Sequence, residues 1–288
     1  MAEELPFPTG KSPKAGLNIY GTSAVNPYKC TVMAEELGIE YNYINLNIVE
    51  GEMYTKWYTK NVNPNGKVPA IVHVKQGGTQ VKVWESGACL LYIGHEFDKD
   101  HKFLSPVGTQ EYWTQLSWLS WQISGYGPMM GQAAHFNRYL PSEEDGDYGS
   151  WRFTAECRRL HSVLNTQLST SSFVAGDSMS VADFAAFVFA HSAKWCGIDL
   201  KEYPAVAAWH DRLAQRPAFR KALRASGGYP FGDEATSQTD GEKLEFLKMV
   251  RKNGTQGMKA AHQMWMKRGE ERPVPVPSDY ANYEDRQG

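Results

Sequence analysis

The sequence runs to 288 residues, 42% hydrophobic, 12% aromatic and 22% charged, the make-up of a water-soluble globular chain with one large core or two smaller ones. Its 30 basic and 32 acidic residues leave a net charge of -2, which supplies no general attraction for nucleic acid or an anionic membrane and favours a small ligand. The four cysteines, Cys30, Cys89, Cys157 and Cys196, form no C-x-x-C pair, and the eight histidines form no H-x-x-x-H or H-E-x-x-H pattern, so neither a disulfide framework nor a metal site is expected.

The N-terminus, MAEELPFPTGKSPKAG, lacks the basic start and apolar core of a signal peptide, and no apolar run approaches a bilayer span, so a cytoplasmic protein is expected. Residues 1–16, rich in Pro, Gly and Lys, read as a flexible arm. LNIYG then alternates as a strand does, and Cys30, Met33, Ala34 and Leu37 recur at helical spacing before Gly38, a C-cap signal. YNYINLNIV alternates again, which predicts a right-handed βαβ unit with parallel strands. NPNGKVPAIVHV joins a turn to a third strand, GGTQVKVWES returns as a hairpin, and GACLLYIGHEF has a helical apolar face. The sum is an α/β thioredoxin-like domain over residues 17–102.

After Ser105-Pro106 the pattern changes to aromatic helices, EYWTQLSWLSWQISGYG, SWRFTAECRRLHSVLNTQL, SVADFAAFVFAHSAKW and PAVAAWHDRLAQRPAFRKAL, which predict an all-α helical bundle over residues 107–226. Residues 227–288 form a polar C-terminal extension with one helical pattern from Gly241 to Arg268 and a Pro-rich tail.

Several motifs bear on chemistry. A Pro-Tyr pair between two cysteines, at the start of a helix that follows a strand, holds the redox pair of glutaredoxin-type proteins; here the flanks of Pro27-Tyr28 are Asn26 and Lys29. Cys30 lies one residue further, rotated by about 100° on a helix, and is expected in the core. In KVPA, Pro69 opens a strand where a tight turn favours a cis bond, which would present the backbone of Val68 to an extended peptide ligand; a Pro that merely begins a strand is the plain alternative. Glu85 and Ser86 sit at a strand-to-helix junction. Free N–H groups there attract a carboxylate, and Glu85 adds an acceptor for an ammonium group, which together suit an amino-acid head group; a capping role for Ser86 competes. Ser180-Val-Ala-Asp183 has capping-box spacing, with Met179 placed to staple onto Phe184, so Asp183 is assigned to folding. Trp113, Trp118, Trp121, Tyr126, Met129 and Met130 could line an apolar pocket or pack between helices, and His135 is read as a packed residue.

Asn-Pro-Tyr, NPNGKVPA, WESGACLLYI and SVADFA, in that order over Leu17 to Arg224, resemble a cytosolic glutathione S-transferase. GPMMGQAAHFNRYLP is similar to a segment of the fungal and bacterial branch that includes a yeast nitrogen-regulator prion protein and bacterial disulfide reductases. The resemblance implies glutathione as cofactor or co-substrate. Glu85 and Ser86 would take its γ-glutamyl head, Val68 its cysteinyl backbone, and Lys67, Tyr54 and Arg152 its remaining polar groups. Asn26, with Ser23 as second candidate, would face the sulfur. A bound tripeptide that brings its own thiol explains why the turn needs no cysteine; the protein has only to favour a thiolate whose ordinary pKa is about 8.5.

The implied reaction is addition of the glutathione thiolate to an electrophilic apolar small molecule in a homodimer, with fungal secondary metabolism as a setting. Alternatives are glutathione-dependent cis/trans isomerisation of a double bond, disulfide or peroxide reduction, a non-catalytic glutathione-binding regulator, and a partner-binding role for the C-terminal extension. No nucleic acid or membrane partner is expected.

Overall fold

The computed structural model describes residues 5–48, 50–139 and 143–225. The expected helix from Gly241 to Arg268 and the Pro-rich tail lie outside the described residues.

The first domain is built on a four-stranded sheet: β1 (Gly16–Gly21), β2 (Tyr41–Asn45), β3 (Ala70–Val74) and β4 (Gln80–Trp84), in the order β2-β1-β3-β4. β1 and β2 run parallel around the crossover helix α1 (Val25–Leu37), while β3 and β4 are antiparallel to their neighbours. Gly38 ends α1 in the left-handed conformation, φ 67°, and its N–H bonds back to the last turn. α2 (Lys56–Asn61) covers one face of the sheet, and α1 and α3 (Ser86–Phe97) cover the other.

Period-two alternation sorts β1 between those faces. Leu17 and Ile19 join α1 and α3 in one core, and Tyr20 joins Trp57, Tyr58, Ala70 and Val72 in a second. The polar Asn18 is buried in the same strand because its amide is saturated: Nδ2 donates to the Val72 carbonyl at 2.9 Å and the Lys14 carbonyl at 2.7 Å, and Oδ1 accepts from the Lys14 N–H at 2.8 Å.

From residue 5 onward the segment ahead of β1 is tied down, contrary to the flexible arm expected over residues 1–16. Phe7 packs against Trp57, Lys11 pairs with Glu52 at 2.7 Å and receives the Tyr20 hydroxyl on its carbonyl, and Leu5 exchanges two hydrogen bonds with Asn61. Two apolar side chains and one lysine anchor a stretch whose Pro and Gly content suggested none.

The second domain contains α4 (Gln110–Trp121), α5 (Gly127–Ala134), α6 (Glu143–Leu168), α7 (Val181–Ala190), α8 (Pro204–Ala214) and α9 (Pro217–Ala222). All ten residues of α7 are buried, as a helix apolar on every side must be. Its capping box is formed as expected: the Asp183 carboxylate accepts from the Ser180 N–H at 2.9 Å, and the Ser180 Oγ accepts from the Ala182 N–H. The same carboxylate accepts from the Val174 N–H at 3.0 Å and the Trp209 indole at 2.9 Å, and burial raises its pKa to about 6.

The run read as one helix through QISGYG is interrupted. α4 gives way at Gln122 to a π turn, Gln122–Tyr126, before α5 begins, and a second π turn, His135–Tyr139, follows α5. Such wide turns carry an extra residue and shift the faces of the helices they join. The two domains also share a core. α1 is buried continuously from Pro27 to Ala34, with the sheet and α3 on one side and α7 and α9 on the other, so one apolar cluster runs through both domains.

Candidate functional site

The candidate site lies where the first turns of α1 and α3 meet the loop before β3. α1 begins at Val25, so Asn26 falls in its first turn, half-buried, and no described residue hydrogen-bonds its amide. Ser23 is half-buried in the bend between β1 and α1. Both therefore stand at the positive end of a helix whose first N–H groups have no partner within the helix.

Strand β4 hands over to α3 through Glu85, held at φ 70° and ψ 125°, a conformation uncommon for any residue but glycine and concentrated at functional sites. Its carboxylate Oε1 accepts from Asn65 Nδ2 at 3.1 Å. Ser86 is the first helical residue, 9% exposed, and does not cap α3: its Oγ accepts a hydrogen bond from the Lys29 ammonium at 3.1 Å instead. The capping alternative for Ser86 thus fails on geometry.

The loop before β3 is shaped by its carbonyls. The Lys67 C=O accepts from both the Tyr58 hydroxyl at 2.8 Å and Asn63 Nδ2 at 2.7 Å, which fixes the chain one residue ahead of Val68. The Val68–Pro69 peptide is cis, as the tight turn suggested, and the sheet ladder starts only at Ala70, leaving the backbone of Val68 outside it. Lys67 is exposed, with its ammonium 5.7 Å from the centre of the half-buried Tyr54 ring.

Lys29 and Gln122 form a buried pair beside these groups that sequence reasoning passed over. Lys29 lies one helical turn beyond Asn26 and is wholly buried. Its ammonium donates to Ser86 Oγ and, at 2.7 Å, to Gln122 Oε1, and sits 5.0 Å from the centre of the Phe189 ring on α7. Burial pulls its pKa down to about 7. Gln122 opens the π turn, so the extra residue in that turn carries its amide to the domain interface. The Gln122 Nε2 finds no acceptor among the described residues, and the Lys29 bond to Oε1 accounts for the way the amide faces. The next residue, Ile123, is 40% exposed and lies over the start of α3, where a Cβ on Gly87 would fall 2.9 Å from its Cδ1. Asn65, through Glu85, is a further member; it lies in NPNGKVPA, a motif read from sequence for its turn and strand rather than for this side chain.

The aromatic helices divide. Trp113 is 52% exposed on α4, Trp121 stacks on Tyr126 with ring centres 5.1 Å apart, and Met129 is half-buried. Tyr126 and Met130 are fully buried; the Tyr126 hydroxyl pairs with His161 at 2.9 Å, so both pack the core and have no surface with which to line a pocket. Arg152 is exposed on α6, where its charge adds to the Arg159 hydrogen bond that chiefly holds the Glu156 carboxyl low, and it is not joined to the groups around Ser86. His135 is half-buried against Phe136, and burial lowers its pKa. All four cysteines are free and buried, Cys30 and Cys89 side by side in the first domain. Among the described residues no group of three or more His, Cys, Asp or Glu could hold a metal ion, and no helix is long and apolar enough to cross a membrane.

The arrangement can seat a short zwitterionic peptide: an acidic side chain for an ammonium group, a hydroxyl at a helix start for a carboxylate, an open backbone edge at Val68, and an unpaired amide at a second helix start. Comparison with known proteins is consistent with this. The family described as "Glutathione S-transferase, N-terminal domain" matches residues 16–95, and "Glutathione S-transferase, C-terminal domain" matches residues 154–217. The disulfide-bond oxidoreductase YfcG of Escherichia coli is 36% identical over 209 residues, 72% of this chain and 94% of its own. The transcriptional regulator URE2 of Saccharomyces cerevisiae is 30% identical over 256 residues, 74% of this chain and 69% of its own. Among solved structures, the glutathione transferase URE2P6 of Phanerochaete chrysosporium in complex with oxidized glutathione superposes with a TM-score of 0.67 at 36% identity, over 72% of this chain and 94% of that one. A glutathione transferase homolog from Lodderomyces elongisporus with two glutathione molecules per subunit gives 0.69 at 30% identity, over 73% and 98%.

Proposed function

Because this chain belongs to the glutathione S-transferase family, we propose that it binds glutathione between the starts of α1 and α3 and activates the bound thiol. The observation that carries the reading is the pair of unspent groups at two helix N-termini. Asn26 keeps a free amide in the first turn of α1, and Ser86, released from capping, keeps a hydroxyl at the start of α3. Glu85 receives the γ-glutamyl ammonium, Ser86 the adjoining carboxylate, and Val68 the cysteinyl backbone.

The thiol then lies near Asn26, whose N–H donation, with the helix dipole, favours the thiolate. The thiolate adds to an electrophilic carbon of an apolar small molecule, forming a C–S bond as the leaving group departs with its electron pair. Trp113, Trp121 and Ile123 offer apolar surface for that molecule. The enzyme works as a homodimer in this reading.

A second reading has a specific support, the 36% identity to a disulfide-bond oxidoreductase. With all four cysteines buried, exchange would run through glutathione alone. One glutathione thiolate attacks a disulfide, expelling a thiolate and leaving a mixed disulfide, and a second glutathione thiolate releases the other half as a thiolate while oxidised glutathione forms.

Calorimetric titration with glutathione, together with the ultraviolet absorbance of the bound thiolate against pH, tests the reading. Wild type should bind; Ser86→Ala should weaken binding by about tenfold, the worth of one hydrogen bond to a charged group. Asn26→Ala should leave affinity within about threefold and raise the bound thiol's pKa by roughly one unit. Absence of binding in the wild type would reduce the family membership to a shared fold.

A further inference from the structure

Lys29 carries a charge into the interior with no carboxylate bonded to it. Its three donors go to Ser86 Oγ at 3.1 Å, to Gln122 Oε1 at 2.7 Å, and toward the face of Phe189 at 5.0 Å. An ammonium group only donates and a hydroxyl has one proton, so the Ser86 oxygen must accept from Lys29 and its own proton must go elsewhere. No described residue accepts that proton, and Ser86 retains a 9% opening to solvent. Gln122 is held in the matching sense: its Oε1 meets the ammonium while its Nε2 stays without a partner, and the reverse orientation would set two donors face to face. The strand-to-helix junction thus presents a hydroxyl proton outward with a buried positive charge directly behind it.

We propose, building on the glutathione reading above, that Lys29 is a positioning residue whose ammonium, braced by Gln122 from the second domain, fixes Ser86 as a donor to the ligand's α-carboxylate and acts as that carboxylate's counter-charge. The carboxylate reaches the cation through one hydroxyl, close enough for strong attraction in a poorly solvated site. Both domains contribute, since α1 and α3 belong to one and Gln122 and Phe189 to the other.

The arrangement makes binding proton-linked. In the free protein burial lowers the Lys29 pKa to about 7, while interactions with Cys30 on its own helix and with Glu85 and Cys89 at and on α3 pull it upward. The groups facing it from the π turn and α7 are Gln122 and Phe189, which carry no charge. A ligand carboxylate raises the pKa, so the complex holds the proton that the free protein partly releases. Binding near pH 7.5 should therefore take up roughly half a proton, and affinity should fall as pH rises above 7.

The test uses S-methylglutathione, which has no thiol to titrate, with the full chain in buffers of different ionisation enthalpy. For wild type we expect proton uptake at pH 7.5 and affinity that declines between pH 7 and 9. Lys29→Met should bind roughly tenfold or more weakly, with almost no proton uptake at pH 7.5 and an affinity that changes little until the ligand's own ammonium starts to titrate above about pH 8, a loss shared by both proteins. An analogue with its γ-glutamyl α-carboxylate converted to the amide should bind wild type and Lys29→Met alike. The proton count on wild type needs no variant and decides the matter even where Lys29→Met does not fold. Normal binding by wild type without proton uptake, or a Lys29→Met loss that is equally large for the amide analogue, would overturn the role of Lys29 and leave the glutathione site standing. Failure of wild type to bind S-methylglutathione at all would instead remove the glutathione site, and this role with it.

Discussion

At Lys29 a single side chain sets a site requirement against a folding cost. An isolated ammonium loses hydration on burial, and two neutral acceptors with one aromatic face replace it only in part, which is why its pKa falls to about 7. In the unfolded chain that pKa returns to about 10.4. Between those values the folded state binds fewer protons than the unfolded one, so the Lys29 contribution to stability improves as pH rises from 7 toward 10 and is poorest below 7. Comparison of wild type with Lys29→Met in thermal melts should show the wild type gaining on the variant by a few degrees between pH 6.5 and 9, while a constant difference would mean that burial does not lower the Lys29 pKa and the residue keeps its proton in the fold throughout that range. The residue was hard to read from sequence because its neighbours supplied a stronger signal. Asn26, Glu85 and Ser86 stand in motifs that name their chemistry, whereas a lysine near the start of a helix reads as a solvated charge until the partner domain covers it. Tyr126 and Met130 show the opposite failure: aromatic and thioether residues at helical spacing suit a pocket and a core equally, and only packing separates the two.

Among the elements, α7 shows how much of the architecture is local. Its capping box, its apolar run and its boundaries follow from a few adjacent residues, so they were legible. What the same motif does across the fold was not. Asp183 also accepts from the Val174 N–H and from the Trp209 indole, stitching the loop before α7 and the helix α8 to the start of α7. Replacing Asp183 by Ala leaves three buried N–H donors without acceptors. Urea denaturation should register a loss of about 3 kcal/mol, and a change below 1 kcal/mol would show that relaxation or water satisfies those groups. The π turn at Gln122–Tyr126 was invisible for a related reason. Its composition is that of an ordinary helix, and the extra residue reconciles the faces that α4 and α5 both turn to α7, a requirement set by an element far away in the chain. The docked segment before β1 belongs to the same class, since Phe7 and Lys11 reveal their role only beside Trp57 and Glu52.

For the molecule as a whole, the decisive feature is that α1 is packed on both sides. The apolar cluster passes from the sheet through α1 into α7 and α9, and charged pairs follow the same seam: Arg216 to Glu36 and Lys221 to Glu35, the latter at 2.7 Å. The Lys221 ammonium is exposed and its pair adds little, the two-pronged Arg216–Glu36 bond with its carboxylate 5% exposed adds more, and the shared core carries most of the association. The two domains should therefore unfold together. Scanning calorimetry is expected to give one transition whose van't Hoff and calorimetric enthalpies agree, and two separated transitions would refute the shared core as the main coupling. The burial of Cys30, Cys89, Cys157 and Cys196 has a further consequence at this scale. A protein with no accessible thiol of its own is blind to the oxidants around it. Under the proposed function it would gauge cellular redox balance only by which form of the tripeptide occupies its cleft, as an electrode senses a couple without being consumed by it.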